Sequence, residues 1–310
     1  MLLREDDAGD PMGRQGVWTG KRLRAISREL AALGLRVRPN TVRRLLRELD
    51  YALLANRKSL CSGTSPDRDP QFRYLDLHRR LFSETGFPVI SVDTKKKELV
   101  GQFKNGGRIW SQAPVLVQDH DFRSQASGLA IPYGIYDLQA NRGRVVVGTS
   151  HDTPYFAVDA IADWWRKDGQ ARYAGASELL VLADGGGSNG PRCRAWKLAL
   201  QEKLADPFRL AVTVCHYPSG ASKWNPVEHR LFSEISKNWA GQPLADYPAI
   251  LRLIRSTRTA TGLAVDCVLN TKVYPTAVPV APQQMNKLDL IKHPFLPEWN
   301  YTLFPRQTRN

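Results

Sequence analysis

Three acidic residues have the types and positions needed for chemistry on phosphate. Asp93 ends the apolar run PVISVD, Asp184 ends the apolar run ELLVLAD, and Glu228 lies near the start of a helical pattern in NPVEHRLFSEI. Carboxylates that meet at one crevice raise each other's pKa unless a cation joins them. Mg²⁺ held by oxygen ligands fills that role at phosphate chemistry. The pattern therefore predicts metal-dependent phosphoryl transfer on nucleic acid.

Each of these acidic residues also has a purely structural interpretation. Asp93 fits a strand-end turn, and Asp184 precedes three glycines and fits an Asp-Gly turn. No Gly-Lys-Ser/Thr follows those glycines, so a nucleotide-binding P-loop is not indicated. Glu228 fits the third position of a capping box that begins at Asn225. Its direction on the helix also places it on the apolar stripe that faces the sheet, and the two roles are compatible.

Other polar residues are weaker candidates. His216 follows a predicted strand, where it is placed to contact a substrate phosphate, but a satisfied polar role is the alternative. The same alternative applies to two further histidines, His151 and His229. The basic run Lys95, Lys96, Lys97 is either a solvated turn or a grip on DNA phosphates. Rival acidic residues are Asp119, Asp121, Asp137 and Asp152, of which the last fits a helix start. The next two residues predict that start, with Thr153 as the N-cap and Pro154 at the first helical position.

The charge of the chain favours a nucleic-acid partner. Its 310 residues have a formal net charge of +14 and a pI of about 9.8, and such an excess is a statement about partners rather than fold. From Arg14 to Lys58 there are 12 basic residues against 3 acidic ones. A generally basic, soluble surface is the alternative interpretation.

The cysteines and the apolar runs indicate a protein of the cytosol. The four cysteines, Cys61, Cys193, Cys215 and Cys267, have no CxxC spacing, which argues against a zinc site and a disulfide framework. No stretch has the character of a signal peptide or a transmembrane helix. We therefore expect a cytoplasmic location, with association to the nucleoid when the protein is bound to DNA.

The N-terminal pattern predicts a helix-turn-helix. Residues 21–33 have helical periodicity that ends at Gly34, and a second helix buries an apolar face. Three arginines of the second helix fall outside that face and are candidate DNA contacts: Arg43, Arg44 and Arg47. An ordinary helical hairpin with a solvated basic face is the alternative.

Alternating strand and helix patterns follow and predict a mixed α/β sheet covered on both faces. The predicted regions are 1–55 (helix-turn-helix), 56–87 (linker and connecting helix), 88–240 (catalytic core) and 241–310 (C-terminal extension packed on the core). The region beyond residue 265 is rich in proline and has no clear periodicity. It therefore yields no prediction of individual elements.

Several long motifs resemble those of a known family. VISVDTKKKELVGQFKNGGR, IPYGIYDL, LADGGGSNG, CHYPSGASKWNPVEHRLFSEI and the late EWNY resemble, in order, the Rhodopirellula-type DDE transposases of bacterial insertion sequences. NPVEH is also similar to the wider mariner-like transposases. The resemblance implies an RNase H-like core whose catalytic, metal-binding triad is Asp93, Asp184 and Glu228.

The resemblance also implies partners and a reaction. The implied cofactor is Mg²⁺, with Mn²⁺ as a substitute. The implied DNA partners are the terminal inverted repeats and the target DNA, to which the protein binds as a homo-oligomer. The implied reaction is two-metal strand cleavage followed by strand transfer. Only about twenty residues precede the helix pair, fewer than is usual in the family, so we expect an upstream DNA-binding segment to be missing. Two alternatives stay open: a structure-specific nuclease on the same fold, and a truncated or domesticated transposase that binds DNA without catalysis.

Overall fold

The computed structural model describes residues 21–52, 66–218, 220–221 and 224–307. The chain divides into two units, Met1–Ser62 and Gly63–Asn310, and each is described by itself. Residues 1–20 and 53–65 lie outside the described residues, and with them Cys61 and the first part of the predicted linker region 56–87.

The first unit contains a pair of helices, Leu23–Ala32 and Pro39–Glu48. Gly34 ends the first helix with φ +86°, a left-handed conformation that glycine adopts without steric cost. Ile26 and Val42 are buried between the helices. The predicted apolar face of the second helix is only partly covered, since Leu45 and Leu49 stay exposed. Two short helices have too little surface to bury a whole stripe.

The second unit is built on one large mixed sheet. Its strands are β1 (Val89–Thr94), β2 (Glu98–Val100), β3 (Gly128–Asp137), β4 (Arg142–Gly148), β5 (Glu178–Ala183), β6 (Ala211–His216), β7 (Ala264–Asn270), β8 (Leu290–Lys292) and β9 (Asn300–Leu303). Their order is β7-β4-β3-β1-β5-β6-β9-β8, and β2 pairs with β3 beside this path. Strands β1, β5 and β6 are parallel neighbours, whereas β3 is antiparallel to β1 and β4.

Helices cover both faces of the sheet, which confirms the predicted mixed α/β architecture. The described helices of this unit are Arg68–Glu84, Pro154–Trp164, Arg194–Leu200, Ser233–Asn238, Tyr247–Arg255 and Pro282–Met285, with short α-helical segments at Gln170–Arg172 and Asp206–Phe208. Wider π-helical turns extend three of them, at Trp165–Gly169, Gln201–Ala205 and Val227–Phe232. None of the helices that the structure describes combines the length and the apolar character that crossing a membrane requires.

One residue fixes the start of a helix, and another lets a helical turn pack closely on the sheet. Thr153 caps the helix Pro154–Trp164 as its sequence predicts, because its hydroxyl accepts a hydrogen bond from the Phe156 amide at 3.2 Å. On the opposite face of the sheet, Gly134 of β3 makes room for the helical turn Val227–Phe232. A Cβ atom at Gly134 would lie 2.4 Å from the Phe232 ring.

The C-terminal region contributes strands that its sequence did not predict. β7 extends one side of the sheet as a parallel neighbour of β4, and β9 pairs antiparallel with β6 on the other side. β8 and β9 contain only three and four residues. Strands this short show no recognisable alternation, so they are defined by their partners rather than by their own periodicity.

Candidate active site

Parallel pairing of β1 and β5 brings two of the predicted acidic residues to one edge of the sheet. Val92 is opposite Ala183 in this pair. The residues that follow this pair, Asp93 and Asp184, therefore lie side by side at the same carboxyl edge of the two strands. This is the edge at which open α/β sheets form their ligand crevices.

A cavity of about 400 Å³ opens at this edge. We call it the carboxylate pocket. It is lined by Asp93, Asp152, Asp184, Thr94, Lys95–Lys97 and the glycine-rich turn Gly186–Asn189.

Glu228 reaches the same group of carboxylates from the helical turn Val227–Phe232. Its carboxyl group lies within hydrogen-bonding reach of Asp93, and it interacts electrostatically with Asp184. The close approach of this turn at Gly134 helps to place it, since Gly134 is directly opposite Asp93 in the β1–β3 pair. The structure thus brings all three predicted residues together.

Hydrogen bonds fix the orientation of Asp93. The Thr94 amide donates to Asp93 Oδ1 at 2.7 Å, and Asn225 Nδ2 approaches Asp93 Oδ2 at 3.5 Å. Asn225 cannot turn away, because its Oδ1 accepts a hydrogen bond from the Ser91 hydroxyl. That hydroxyl in turn accepts from the Val227 amide at 3.1 Å. Ser91 and Asn225 therefore join β1 to the turn that contains Glu228.

The capping box proposed for Glu228 is not formed through the Asn225 side chain. That side chain is directed at β1, and no side-chain hydrogen bond caps this helical turn. The main-chain oxygen of Asn225 accepts from the Glu228 amide at 3.1 Å instead. Asn225 is fully buried, so it acts as a link between two elements rather than as a surface cap.

Burial and mutual repulsion disfavour charge on these carboxylates. Burial, followed by the charges of Asp184 and Glu228, raises the pKa of Asp93 to about 8. Burial also raises the pKa of Asp184 to about 6, against a hydrogen bond from the Gly186 amide that lowers it. The pKa of Glu228 is raised by burial, and the nearby Lys95 ammonium opposes that shift. Near neutral pH, Asp93 thus retains a proton that a cation could replace.

The comparison of sequences identifies the family. The family described as Rhodopirellula transposase DDE domain matches residues 1–305. The chain belongs to this family. The mixed sheet with helices on both faces is the RNase H-like architecture that the sequence analysis expected of a DDE transposase.

Solved structures of Mos1 transposase are also similar to this DDE transposase. The Mos1 paired-end complex with the left transposon end is 14% identical, with a TM-score of 0.45 over 79% of this chain and 73% of that one. The Mos1 catalytic domain is 11% identical, with a TM-score of 0.40 over 63% and 82% of the two chains. Such scores are too low to add to the family assignment, which rests on the sequence. No curated protein matches the chain in sequence.

The carboxylate pocket of this DDE transposase suits a divalent cation by its donor chemistry. Asp184 Oδ1 is buried and has no hydrogen-bond partner, so one hard oxygen lacks a positive or donating neighbour. Burial, followed by repulsion from the neighbouring carboxylates, raises the pKa values of Asp93 and Asp184, and a bound cation would offset both effects. Across the described residues, no three Asp, Glu, His or Cys side chains already form a set that could hold an ion together. The donors fit in kind, and binding an ion would require them to draw closer.

Two parts of the pocket were missed or left undecided by the sequence analysis. Asp152 lines the pocket, and its Oδ1 accepts a hydrogen bond from the Thr94 hydroxyl at 3.2 Å. The signal that could have found it is its place just beyond the end of β4, which runs parallel to β1. Tyr133 of β3 donates from its hydroxyl to Asn189 Oδ1 at 3.0 Å and so fixes the glycine-rich turn. Nothing local in the sequence indicates that bond.

The three lysines after β1 differ from one another. Lys95 is buried, with its ammonium 3.0 Å from Glu98 Oε1 and 4.5 Å from the centre of the Trp239 ring. Lys96 and Lys97 are exposed and line the carboxylate pocket. Lys95 thus has partners inside the protein, whereas the next two lysines face solvent.

His216 is not accessible to a substrate phosphate in this structure. It is fully buried, and its Nδ1 donates to the main-chain oxygen of Asp184 at 3.0 Å. Burial lowers its pKa to about 4, so the ring is neutral at pH 7. His216 therefore supports the end of β5. His151 bonds to the main-chain oxygen of Tyr274 at 3.2 Å, and His229 is exposed.

The remaining rival acidic residues do not line the carboxylate pocket. Asp137 lies at the other end of β3, opposite Ile90, and accepts hydrogen bonds from the Tyr173 hydroxyl and two main-chain amides. Asp119 and Asp121 lie in the exposed segment before β3.

Proposed function

We propose that this DDE transposase binds the terminal inverted repeats of a bacterial insertion sequence and catalyses DNA strand cleavage and strand transfer with Mg²⁺, or with Mn²⁺ in its place. One observation supports the proposal above the others. Asp93, Asp184 and Glu228 come from three separate parts of the chain and meet as half-buried carboxylates whose pKa values are all raised, first by burial and, for Asp93 and Asp184, also by mutual repulsion. Structural carboxylates are normally paired, and such uncompensated groups are typical of functional sites.

The proposed reaction is an in-line displacement at phosphorus, in which the acidic residues have one role, to hold metal ions. Asp93, Asp184 and Glu228 would hold the divalent ions, which supply positive charge at the attacking and leaving oxygens. A water molecule attacks in the cleavage step and loses a proton as its oxygen bonds to phosphorus, while the 3′ oxygen leaves and is protonated. In strand transfer that 3′-hydroxyl attacks a phosphorus of the target DNA and loses its proton as the new P–O bond forms, while the 3′ oxygen of the target strand leaves and is protonated. No side chain forms a covalent bond to DNA.

The basic residues are proposed to position the DNA. Lys96 and Lys97 lie exposed at the pocket, where their ammonium groups can contact phosphates next to the scissile one. Arg43, Arg44 and Arg47 are exposed on the second N-terminal helix, and we propose that they contact the inverted repeat. Lys95, counted with these lysines in the sequence analysis, is better suited to balance the charge of Glu228. Because two transposon ends must be joined in one event, we propose a homo-oligomer on DNA, acting in the cytoplasm.

The test compares the Asp93→Asn variant with the parent protein. The DNA substrate carries the sequence that flanks the coding region, with a supercoiled plasmid as target. Asp93→Asn should lower Mg²⁺-dependent cleavage by about 10³-fold, because it removes a charged oxygen that the reaction requires, and should change DNA affinity by less than about threefold. Asp76→Asn, a change on an exposed helix surface, is the matched control and should cleave normally.

The outcomes separate this proposal from its alternatives. Equal cleavage by Asp93→Asn and the parent would contradict the assignment of the site. Cleavage without joining to the plasmid would identify a nuclease. DNA binding with no cleavage in Mg²⁺ or Mn²⁺ would identify a DNA-binding protein without catalysis.

A further inference from the structure

We propose that a second pocket, next to the carboxylate pocket, binds one unstacked nucleobase of the DNA strand that is cut or joined. This inference rests on the proposed function. The pocket has a volume of about 580 Å³ and lies beyond the ends of β5 and β6. We call it the base pocket, and it is lined by Gly185, Gly187, Gly190–Cys193, Tyr217 and Trp299.

The glycine-rich turn after β5 separates the two pockets and lines both of them. Gly187 belongs to both linings, and Gly185 directly follows Asp184. A strand whose phosphate sits at Asp184 therefore has its neighbouring nucleotide beside this turn. The turn presents backbone rather than side chains, so a planar group can approach closely and meet main-chain donors and acceptors. This continuity argues for a part of the same DNA strand as the occupant.

Trp299 supplies the stacking surface. Its main-chain oxygen accepts from the His216 amide at 3.0 Å. The next two residues are fully buried: Asn300 exchanges hydrogen bonds with Gln71, and the Tyr301 hydroxyl accepts from Trp196 Nε1 at 3.0 Å. Residue 299 is thus held on a rigid support at the end of the sheet. This anchoring also gives a role to the EWNY motif, which the triad leaves unexplained.

Trp299 is half-buried. Among the residues that the structure describes, no ring stacks on it or meets it edge-to-face, whereas Trp224 packs against Phe72 and Trp164 against Trp165. An indole that lines a pocket without an aromatic neighbour is the kind of platform on which proteins stack single-stranded bases.

The residues that line the base pocket suit a nucleobase rather than a metal ion. Its described lining contains no carboxylate, in contrast to the carboxylate pocket. Arg192 lies exposed at the rim, where its guanidinium can contact a phosphate or the edge of a base. Enzymes that do chemistry on a base extrude it into a fitted pocket, and we propose that a base next to the scissile phosphate is held here in the same way.

The test is a cycle of binding measurements with Trp299→Ala and abasic DNA. End duplexes carry a single abasic site at each of the three positions on either side of the scissile phosphate. On intact DNA, Trp299→Ala should weaken binding by about 5- to 150-fold, which corresponds to the loss of one stacked base. At one abasic position the same substitution should cost less than about twofold, since the base is already missing. Trp299→Phe should recover most of the affinity on intact DNA.

The control is Trp110→Ala, because Trp110 is a fully exposed tryptophan of the same unit. The proposal is overturned if Trp299→Ala loses the same affinity on every abasic duplex, or if Trp110→Ala reproduces its loss. A merely structural role of Trp299 would weaken binding to all duplexes alike. The measurement needs no cleavage, so failure of strand cleavage would count against the proposed function and leave this result unaffected.

Discussion

Two pockets of this protein are lined by acidic residues, and their electrostatics are opposite. The larger cavity, of about 920 Å³, lies between the helix Pro154–Trp164 and β7. At its centre Asp159 accepts hydrogen bonds from Lys203 at 2.5 Å, Tyr274 at 2.8 Å and Lys272 at 3.1 Å. Burial alone would raise the pKa of Asp159, but these three donors outweigh it and bring the pKa below its usual value.

In the smaller carboxylate pocket the same type of side chain is left uncompensated. Asp93 has a pKa of about 8, and Asp184 has a buried oxygen without a partner. Neither the size of the cavity nor its number of acidic residues therefore singles out the pocket that we propose for phosphoryl transfer. What distinguishes the smaller pocket is that the effects of burial and mutual repulsion on Asp93 and Asp184 are not outweighed by bonded cationic donors, as they are at Asp159.

The largest expected difference concerns metal binding and cleavage. Asp184→Asn should abolish the rise in melting temperature that Mn²⁺ produces in the parent, because it removes a ligand, and should slow cleavage by about 10²- to 10³-fold. Asp159→Asn should keep both the Mn²⁺ effect and cleavage within about threefold. Thermal melts with and without Mn²⁺ measure the first property, and a gel assay measures the second. If the two variants behave alike, the electrostatic contrast has no functional meaning.

The second difference concerns the pH dependence of stability without metal. Because the pKa of Asp93 is raised from 3.8 to about 8, the folded protein holds this proton more tightly than the unfolded chain. That contribution is complete below about pH 4 and is lost as the pH rises toward 8, by up to about 1.4 kcal/mol per pH unit. In urea titrations with EDTA, the free energy of unfolding should therefore fall from pH 6 to pH 8, and Asp93→Asn should remove most of that slope.

Asp159 provides the opposite sign in the same experiment. Its pKa is lowered in the folded state, so its contribution is present above the unfolded pKa and is lost only as the pH falls toward acid. Asp159→Asn should therefore reduce stability at pH 7, by about 1–2 kcal/mol after allowance for partial exposure of its partners. The comparison would be contradicted if, relative to the parent, Asp93→Asn lowered the free energy of unfolding at pH 8 and Asp159→Asn left it unchanged at pH 7.

The smallest expected effect concerns Lys95, whose ammonium opposes the raised pKa of Glu228. Lys95→Met should raise that pKa further, so that Glu228 keeps a proton to higher pH and binds metal less well near neutrality. We expect a loss of about three- to tenfold in cleavage at pH 7, recovered at higher pH. The pH profile of cleavage measures this shift.

Lys97→Met is the matched control, since it removes a lysine two residues away that is exposed rather than buried. It should weaken DNA binding and reduce its salt dependence without moving the pH profile. An unshifted profile for Lys95→Met would show that Lys95 has no influence on Glu228.

Local sequence was a good guide where one element determined the outcome. Thr153 and Pro154 predicted a helix start correctly because a cap is a contact between near neighbours. The apolar runs before Asp93 and Asp184 predicted strands because a strand buried on both faces is apolar throughout. The weaker predictions involved partners far along the chain. Asn225 was predicted to cap its own helix, but its side chain bonds to Ser91, 134 residues away.

The sequence by itself determined the candidate acidic residues and the class of fold, since residue type sets chemistry and periodicity sets local structure. The tertiary structure decided which charges were compensated. Asp159 and Asp93 are the same residue type, yet one meets Lys203 and Lys272 and the other meets Asp184 and Glu228. It also placed Asp152 in the carboxylate pocket and Trp299 beside it. The physical reason is that compensation depends on distances in space, and strand pairing fixes those distances between residues that are remote in sequence.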